Sequence, residues 1–280
     1  MKTGLIMEGG ALRGMFTCGV IDVFLEENIN FDGAAGISAG AAFGCNFKSR
    51  QIGRAIRYNK KYCKDPRYCS VQSLLKTGDM FGVEFCYHEL PDKLDPFDRE
   101  TFKKNPIEFY VGATNVETGK IVFHKCSDGG AVDIEWMRAS SSMPVASRPV
   151  QIGKYTLLDG GIVCPVPFRF MEGKGYDRNV IILTQPEGYT KKPSSPAMQV
   201  LLRKYPMIAE AMAVRHLRYN RQLERIKERE LSGEAIVIRP PEALGISRTE
   251  KDPDELERVY QIGRAVAQER IDEIRMFLRK

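Results

Sequence analysis

Long apolar runs are missing from this 280-residue sequence. No window approaches the roughly 20 consecutive apolar residues that a membrane-spanning helix needs, so no helical span is expected. Met1-Lys2-Thr3-Gly4 leads straight into a strand pattern, without the apolar core of a secretory signal. A disulfide framework is missing too: the seven cysteines are odd in number and irregularly spaced, which fits a reducing compartment. A cytoplasmic protein is expected. Its net charge of +6 is too mild to demand a nucleic-acid partner, though it permits peripheral contact with an anionic membrane surface. Metal-site spacing is also wanting. Cys63, Cys69, Cys86 and His88 share one region, but five residues separate Cys63 from Cys69 where zinc pairs favour two to four. With no acidic cluster either, neither a metal nor a cofactor is expected. No internal repeat or low-complexity tract is present.

What is present is the composition of a globular chain with ample core, 43% hydrophobic and 28% charged. One stretch organises the rest, Phe31-Asp32-Gly33-Ala34-Ala35-Gly36-Ile37-Ser38-Ala39-Gly40-Ala41-Ala42. A short apolar run, a serine at a bend and a small-residue helix pattern make a strand–turn–helix Gly-x-Ser-x-Gly, with Gly36, Ser38 and Gly40 as its fixed points. Glycines there let strand and helix approach, and Ser38 falls at a helix N-terminus that favours developing negative charge. The plain alternative is a βα loop that merely packs closely.

Upstream, the strand Gly4 to Met7 runs into Glu8-Gly9-Gly10-Ala11-Leu12-Arg13-Gly14 and then a helix through Phe16, Val20 and Phe24. A glycine-rich loop in that place is an anion cradle. Its spacing misses the dinucleotide fingerprint, and the Gly-Lys-Ser/Thr of a Walker loop is absent. An oxyanion hole, with the Gly9 and Gly10 amides facing Ser38, uses both loops and is preferred.

Further along, one helix is expected from Ala39 through Phe43, Phe47 and Ile52 toward Ile56, with Lys48, Arg50, Arg54 and Arg57 on a solvated face. Residues 62–105 are irregular and aromatic, an insertion suited to a lid or an acyl-chain wall. A hairpin spans Ile107 to His124, Asp133 is expected to cap a short helix, and Tyr155 to Leu158 is a strand ending in Asp159-Gly160-Gly161. Val180 to Thr184 and Ala235 to Ile238 are further strands. Met198 to Glu230 reads as one helix kinked near Pro206, and Asp252-Pro253-Asp254-Glu255 opens a terminal helix. Strands alternating with helices give an α/β fold, a three-layer α/β/α arrangement with a mainly parallel central sheet.

The ordered set Gly9-Gly10-x-x-Arg13-Gly14, Gly36-Ile37-Ser38-Ala39-Gly40 and Asp159-Gly160-Gly161, with Arg138-Ala139-Ser140-Ser141 through Pro144 before the last, resembles the patatin-like phospholipase family. The likeness covers roughly residues 4 to 185. It implies a patatin-like fold and a hydrolase acting on lipid or other acyl-ester substrates, with Ser38 as nucleophile and Asp159 as its partner. It also implies an oxyanion loop of Gly9, Gly10, Arg13 and Gly14. The chain, residues 1–280, is expected to be one such domain, with a helical insertion at about 60–105 and a helical part from about 197 that carries no usable signature. Two other classes stay open: a Ser–His–Asp esterase using His216, and a lipid-binding regulator with little chemistry. Asp128-Gly129-Gly130 duplicates the Asp-Gly-Gly tripeptide, but in a polar loop where Asp-Gly is ordinary turn chemistry.

Overall fold

The computed structural model describes residues 1–279. Its strands are β1 (Lys2–Met7), β2 (Gly33–Gly36), β3 (Glu108–Asn115), β4 (Ile121–Cys126), β5 (Val150–Ile152), β6 (Tyr155–Asp159), β7 (Tyr176–Ile182) and β8 (Ala235–Ile238). They form one sheet of order β5-β6-β3-β2-β1-β7-β8, with β4 also pairing with β3. Strands β3, β2, β1, β7 and β8 are parallel; β4 and β6 run antiparallel to β3, and β5 to β6.

The apolar runs of the parallel strands explain why both faces are covered. Leu5, Met7, Val180 and Ile182 pack into a core on one side with the helix Met15–Glu26 and the helix Pro253–Glu269. Ile6, Ala35, Ile181 and Val237 pack on the other with Phe168, Met171 and Ile226. Alternate residues of one strand thus serve two cores, which makes the three layers. Asp252 caps the helix Pro253–Glu269 by accepting from the Asp254 amide at 3.0 Å, with Pro253 in the first turn.

The topology also sets the site. Strand β2 occupies one edge of β3 only as far as Val111, and β4 takes the other edge. Strand β6 joins the β2 edge from Ala113 onward, so Asp159, opposite Ala113, arrives where β2 ends. The carboxylate and the turn after Gly36 are thereby brought head to head.

Several expected elements differ. The helix expected from Ala39 to Ile56 is three pieces, Ala39–Ala42, Cys45–Lys48 and Arg54–Tyr62, the last two separated where Arg50 and Gly53 take positive φ values of 55° and 71° and turn the chain. Nor is its basic face uniformly solvated. Lys48 is buried and donates to the carbonyls of Asn105 and Ile107, while buried Arg54 donates to Asn46 and to the Asp95 carbonyl. Pro206 starts a helix rather than kinking one: Pro196–Leu201, Pro206–Ala213 and Arg215–Leu231 are separate, as expected of a residue that clashes with the preceding turn and lacks an N–H. Gly130 precedes the helix Ala131–Ser140, and Asp133 sits in its first turn, accepting from the amides of Ser127, Asp128 and Gly129. The insertion holds the helix Val71–Thr77, a π-helical stretch Phe85–Leu94 and the helix Arg99–Lys104.

Candidate active site

Ser38 stands between β2 and the short helix Ala39–Ala42 with φ 55° and ψ −120°, a region that costs a non-glycine residue about 1–3 kcal/mol. The flanking glycines permit the turn. A Cβ on Gly36 would collide with the Gly40 carbonyl oxygen, and one on Gly40 would collide with that of Met7. Ser140 Oγ accepts from the Ser38 amide at 2.9 Å and donates to the Gly112 carbonyl at 2.6 Å, tying the bend to β3.

The Ser38 hydroxyl donates to Asp159 Oδ2 at 2.7 Å. Asp159 Oδ1 accepts from the Gly161 amide at 2.6 Å, its backbone N–H donates to Ser142 and its carbonyl accepts from Thr114. Gly160 sits against the Gly112 carbonyl beneath it. Burial pushes the Asp159 carboxyl up to about 6, against the pull of the Ser38 hydroxyl, the Gly161 amide, Arg215 and Arg248. Asp128 sits elsewhere, accepting from the Gly130 amide at 2.8 Å in an exposed turn.

Of the two loop amides expected to face Ser38, Gly9 does not. Its N–H donates to the Pro165 carbonyl at 3.3 Å. The N–H groups of Gly10 and Ala11 have no acceptor among the described residues, and both residues line the space beside Ser38. Gly9 packs closely against Ile37 and Ser38, which leaves Gly10 and Ala11 as the loop residues with uncommitted amides. Gly14 seats the loop against Ala39 and Phe43. Arg13 lines the same space and forms no ion pair among the described residues; its Nε is buried without a partner.

Glu8 anchors the loop from behind. It is buried, accepts from Thr184 N at 2.6 Å and Oγ1 at 3.1 Å, and accepts from the Tyr219 hydroxyl at 2.5 Å. Tyr219→Phe is expected to lower unfolding stability by about 1–3 kcal/mol, the cost of leaving a buried acceptor short of a bond. Chemical denaturation measures it.

Two cavities meet at Ser38. One of about 290 Å³ is walled by the insertion, including Tyr68, Phe81, Tyr87, Leu90 and Phe97. The other, of about 60 Å³, is lined by Asp159, Glu8, Lys191, Arg215 and Arg248 among others. Arg215 Nε donates to the Gly161 carbonyl at 2.6 Å, and burial lowers its pKa. His216 lines neither cavity, and its Nδ1 is buried without a partner. Of the metal-ligand residue types, His124, Cys126 and Asp133 gather at the β3–β4 hairpin, away from both cavities. The Asp133 oxygens there are taken by three loop amides and by His124.

A parallel α/β sheet bearing a serine at its strand–helix turn and a buried aspartate on it defines the class, and the family model of the patatin-like phospholipases matches residues 5–171. The chain belongs to the patatin-like phospholipase family, one of lipid hydrolases. A second family model, of a domain of unknown function designated DUF6363, matches residues 205–279. An uncharacterized Escherichia coli protein, YjjU, is 29% identical over 66% of this chain and 52% of its own length. Lysophospholipase NTE1 of Coccidioides immitis is 24% identical over 98% of this chain and 18% of its own. The chain thus spans about half or less of these relatives. The crystal structure of VipD from Legionella pneumophila aligns with a TM-score of 0.46 and 12% identity, over 97% of this chain and 67% of that one. Among the described residues no helix is long and apolar enough to cross a membrane.

Proposed function

We propose that the protein hydrolyses acyl esters of lipids through a Ser38–Asp159 dyad and an acyl-enzyme. The observation that carries this reading is the 2.7 Å bond from Ser38 Oγ to a buried carboxylate, beside a 290 Å³ apolar cavity. Ser38 Oγ attacks the ester carbonyl carbon as its proton passes to Asp159 Oδ2. The oxyanion forms against the Gly10 and Ala11 amides, with Arg13 adding positive charge. On collapse, the C–O bond to the alcohol breaks and the leaving oxygen takes the proton from Asp159. Water then attacks the acyl-serine, Asp159 accepts its proton, and the fatty acid leaves as Ser38 is reprotonated.

A carboxylate is a weak base for an alcohol, so the larger contribution is electrostatic. One oxyanion donor is typically worth about 10²–10³ in kcat. Burial helps the base as well, since a carboxyl held at about 6 takes a proton more readily than an ordinary one. The apolar cavity suits a single acyl chain, and the lysophospholipase relative favours lipid esters over short soluble ones.

Two measurements test this. Hydrolysis of p-nitrophenyl esters should rise with chain length from acetyl to decanoyl, and a flat or falling series would return the site to small soluble esters. Only ionised Asp159 serves as base, so kcat/KM should fall about tenfold per pH unit below about 6 and level off above it. A profile flat down to pH 4.5 would remove Asp159 from the proton transfer.

A further inference from the structure

Arg215, Tyr219, Gln222 and Ile226 recur at steps of four, three and four, so they share one face of the helix Arg215–Leu231. Ile226 is buried against the sheet with Phe168 and Ile181, which fixes where that face points. Each of the three polar residues is bonded to a different segment of the candidate site. Arg215 Nε donates to the Gly161 carbonyl at 2.6 Å, and the Gly161 amide donates to Asp159 Oδ1 at 2.6 Å. The Tyr219 hydroxyl donates to Glu8 at 2.5 Å, at the start of the glycine-rich loop. Gln222 accepts from the Val166 amide at 3.3 Å and donates to the Val166 carbonyl. The adjoining Pro165 carbonyl accepts from the Gly9 amide. One helix face thus reaches both the aspartate turn and the glycine-rich loop. Arg215 is its most telling member. Arg229, further along the helix, pairs with Glu172 and Glu234 at the surface, whereas Arg215 forms no salt bridge among the described residues although burial disfavours its charge. A Cβ on Gly161 would lie 3.0 Å from Asp159 Oδ1 and 3.6 Å from Arg215 Nη2, so guanidinium and carboxylate border the same point. Arg248 also acts on Asp159, and Glu8, Arg13, Lys191 and Tyr219 line the cavity that they share, while Tyr87 approaches from the insertion. Of these groups only Arg215 bonds to the Asp159-Gly160-Gly161 turn itself, among the described residues.

We propose that the helix Arg215–Leu231 braces both halves of the active site, with Arg215 a positioning residue for Asp159. This rests on the hydrolase reading above and extends it to residues 205–279, the segment matched only as a domain of unknown function. Arg215, Tyr219 and Gln222 all lie in that segment, outside residues 5–171. Arg215 holds Gly161 by its carbonyl, so that the Gly161 amide stays aimed at Asp159 Oδ1 and Oδ2 is left to Ser38. Its charge also favours the ionised carboxylate, the form that accepts the serine proton. Gln222 serves the glycine-rich loop in the same way, fixing the segment on which Gly9 is anchored.

Steady-state kinetics with p-nitrophenyl decanoate, followed across pH, test this. Arg215→Gln should lower kcat by about 10–100-fold with KM nearly unchanged, as a small misplacement of the base would. The acid limb of its kcat/KM profile should move up by about one pH unit, since the carboxylate loses a nearby cation. Arg215→Lys keeps the charge without the fixed fork, so its limb should stay near wild type while kcat recovers only in part. Gln222→Ala should lower kcat about tenfold and leave the limb in place. Arg229→Gln, at a surface pair of the same helix, should match wild type throughout. Hydrogen exchange reads the brace without turnover: the peptide holding Asp159 to Gly161 should exchange about tenfold faster in Arg215→Gln than in wild type. An acid limb that stays in place in Arg215→Gln, an unchanged exchange rate, or an equal loss in Arg229→Gln overturns the proposal. If Arg215→Gln does not fold, Arg215→Lys and Gln222→Ala carry the test, and unchanged kcat in both overturns it. If wild type cleaves no ester while the exchange difference holds, the hydrolase reading fails and the brace stands.

Discussion

Replacing Ser38 by alanine is expected to lower acyl-ester hydrolysis by about 10⁴–10⁶-fold and to erase labelling by a fluorophosphonate probe. The Ser38 hydroxyl is held on the buried Asp159 carboxylate and shares a cavity with Gly10 and Ala11, whose amides are uncommitted among the described residues. The alanine variant would keep the same backbone, so the fold should survive the change. Ser38→Gly sharpens the point, because glycine tolerates φ 55° and should be inactive yet more stable by about 1 kcal/mol. A strained serine retained at the cost of stability is what a positioned nucleophile requires. Hydrolysis and labelling that persist in Ser38→Ala would remove the nucleophile from the account, whatever the other residues do.

Asp159→Asn should be nearly as severe, about 10³–10⁴-fold in kcat, since an amide cannot take the serine proton. The variant should fold. Burial raises Asp159 from 3.8 to about 6, so the folded state holds that proton more tightly than the unfolded chain. The stability gained from that proton is present at low pH and is lost as pH rises between about 4 and about 6. Asparagine carries no such dependence, and its Tm at pH 7.5 should not fall below that of wild type. Asp128→Asn should remain near wild type, because Asp128 closes a turn in an exposed loop. His216→Ala should also stay active, since His216 lines neither cavity. A dead Asp128→Asn would exchange the two Asp-Gly-Gly tripeptides, and a dead His216→Ala would replace the dyad by a triad.

The parts that were legible in the sequence are those set by local pattern. Leu5-Ile6-Met7 and Val180-Ile181-Ile182 are apolar on both faces, so a covered parallel sheet followed. Gly36 and Gly40 mark a close approach that any side chain would block. The tripeptide that begins at the last residue of β6 stood out because Tyr155 to Leu158 is strand-like and apolar, whereas Asp128 follows a polar loop. What periodicity could not show was long-range. Phe43, Phe47 and Ile52 keep helical spacing across a reversal that depends on Arg50 and Gly53, with the Gly53 amide donating to Asp22. Lys48 looked solvated because its acceptors, Asn105 and Ile107, lie far along the chain. The direction of an amide is equally hidden, and Gly9 points at Pro165 although its neighbour Gly10 is uncommitted. Ser140 stood in a run of three serines, with nothing local to mark it as the support of Ser38. Arg215 and Arg248 belong to segments without a motif, and only the fold carries them to the site.

The acyl-enzyme is the point at which nucleophile, base and oxyanion loop act together. Rapid-quench mass spectrometry of the wild-type protein mixed with p-nitrophenyl decanoate should show one decanoyl adduct, mapped to the peptide containing Ser38. It should form with the nitrophenolate burst and be absent from Ser38→Ala. Turnover at full rate with no acyl-serine, or an adduct on another residue, would contradict the mechanism.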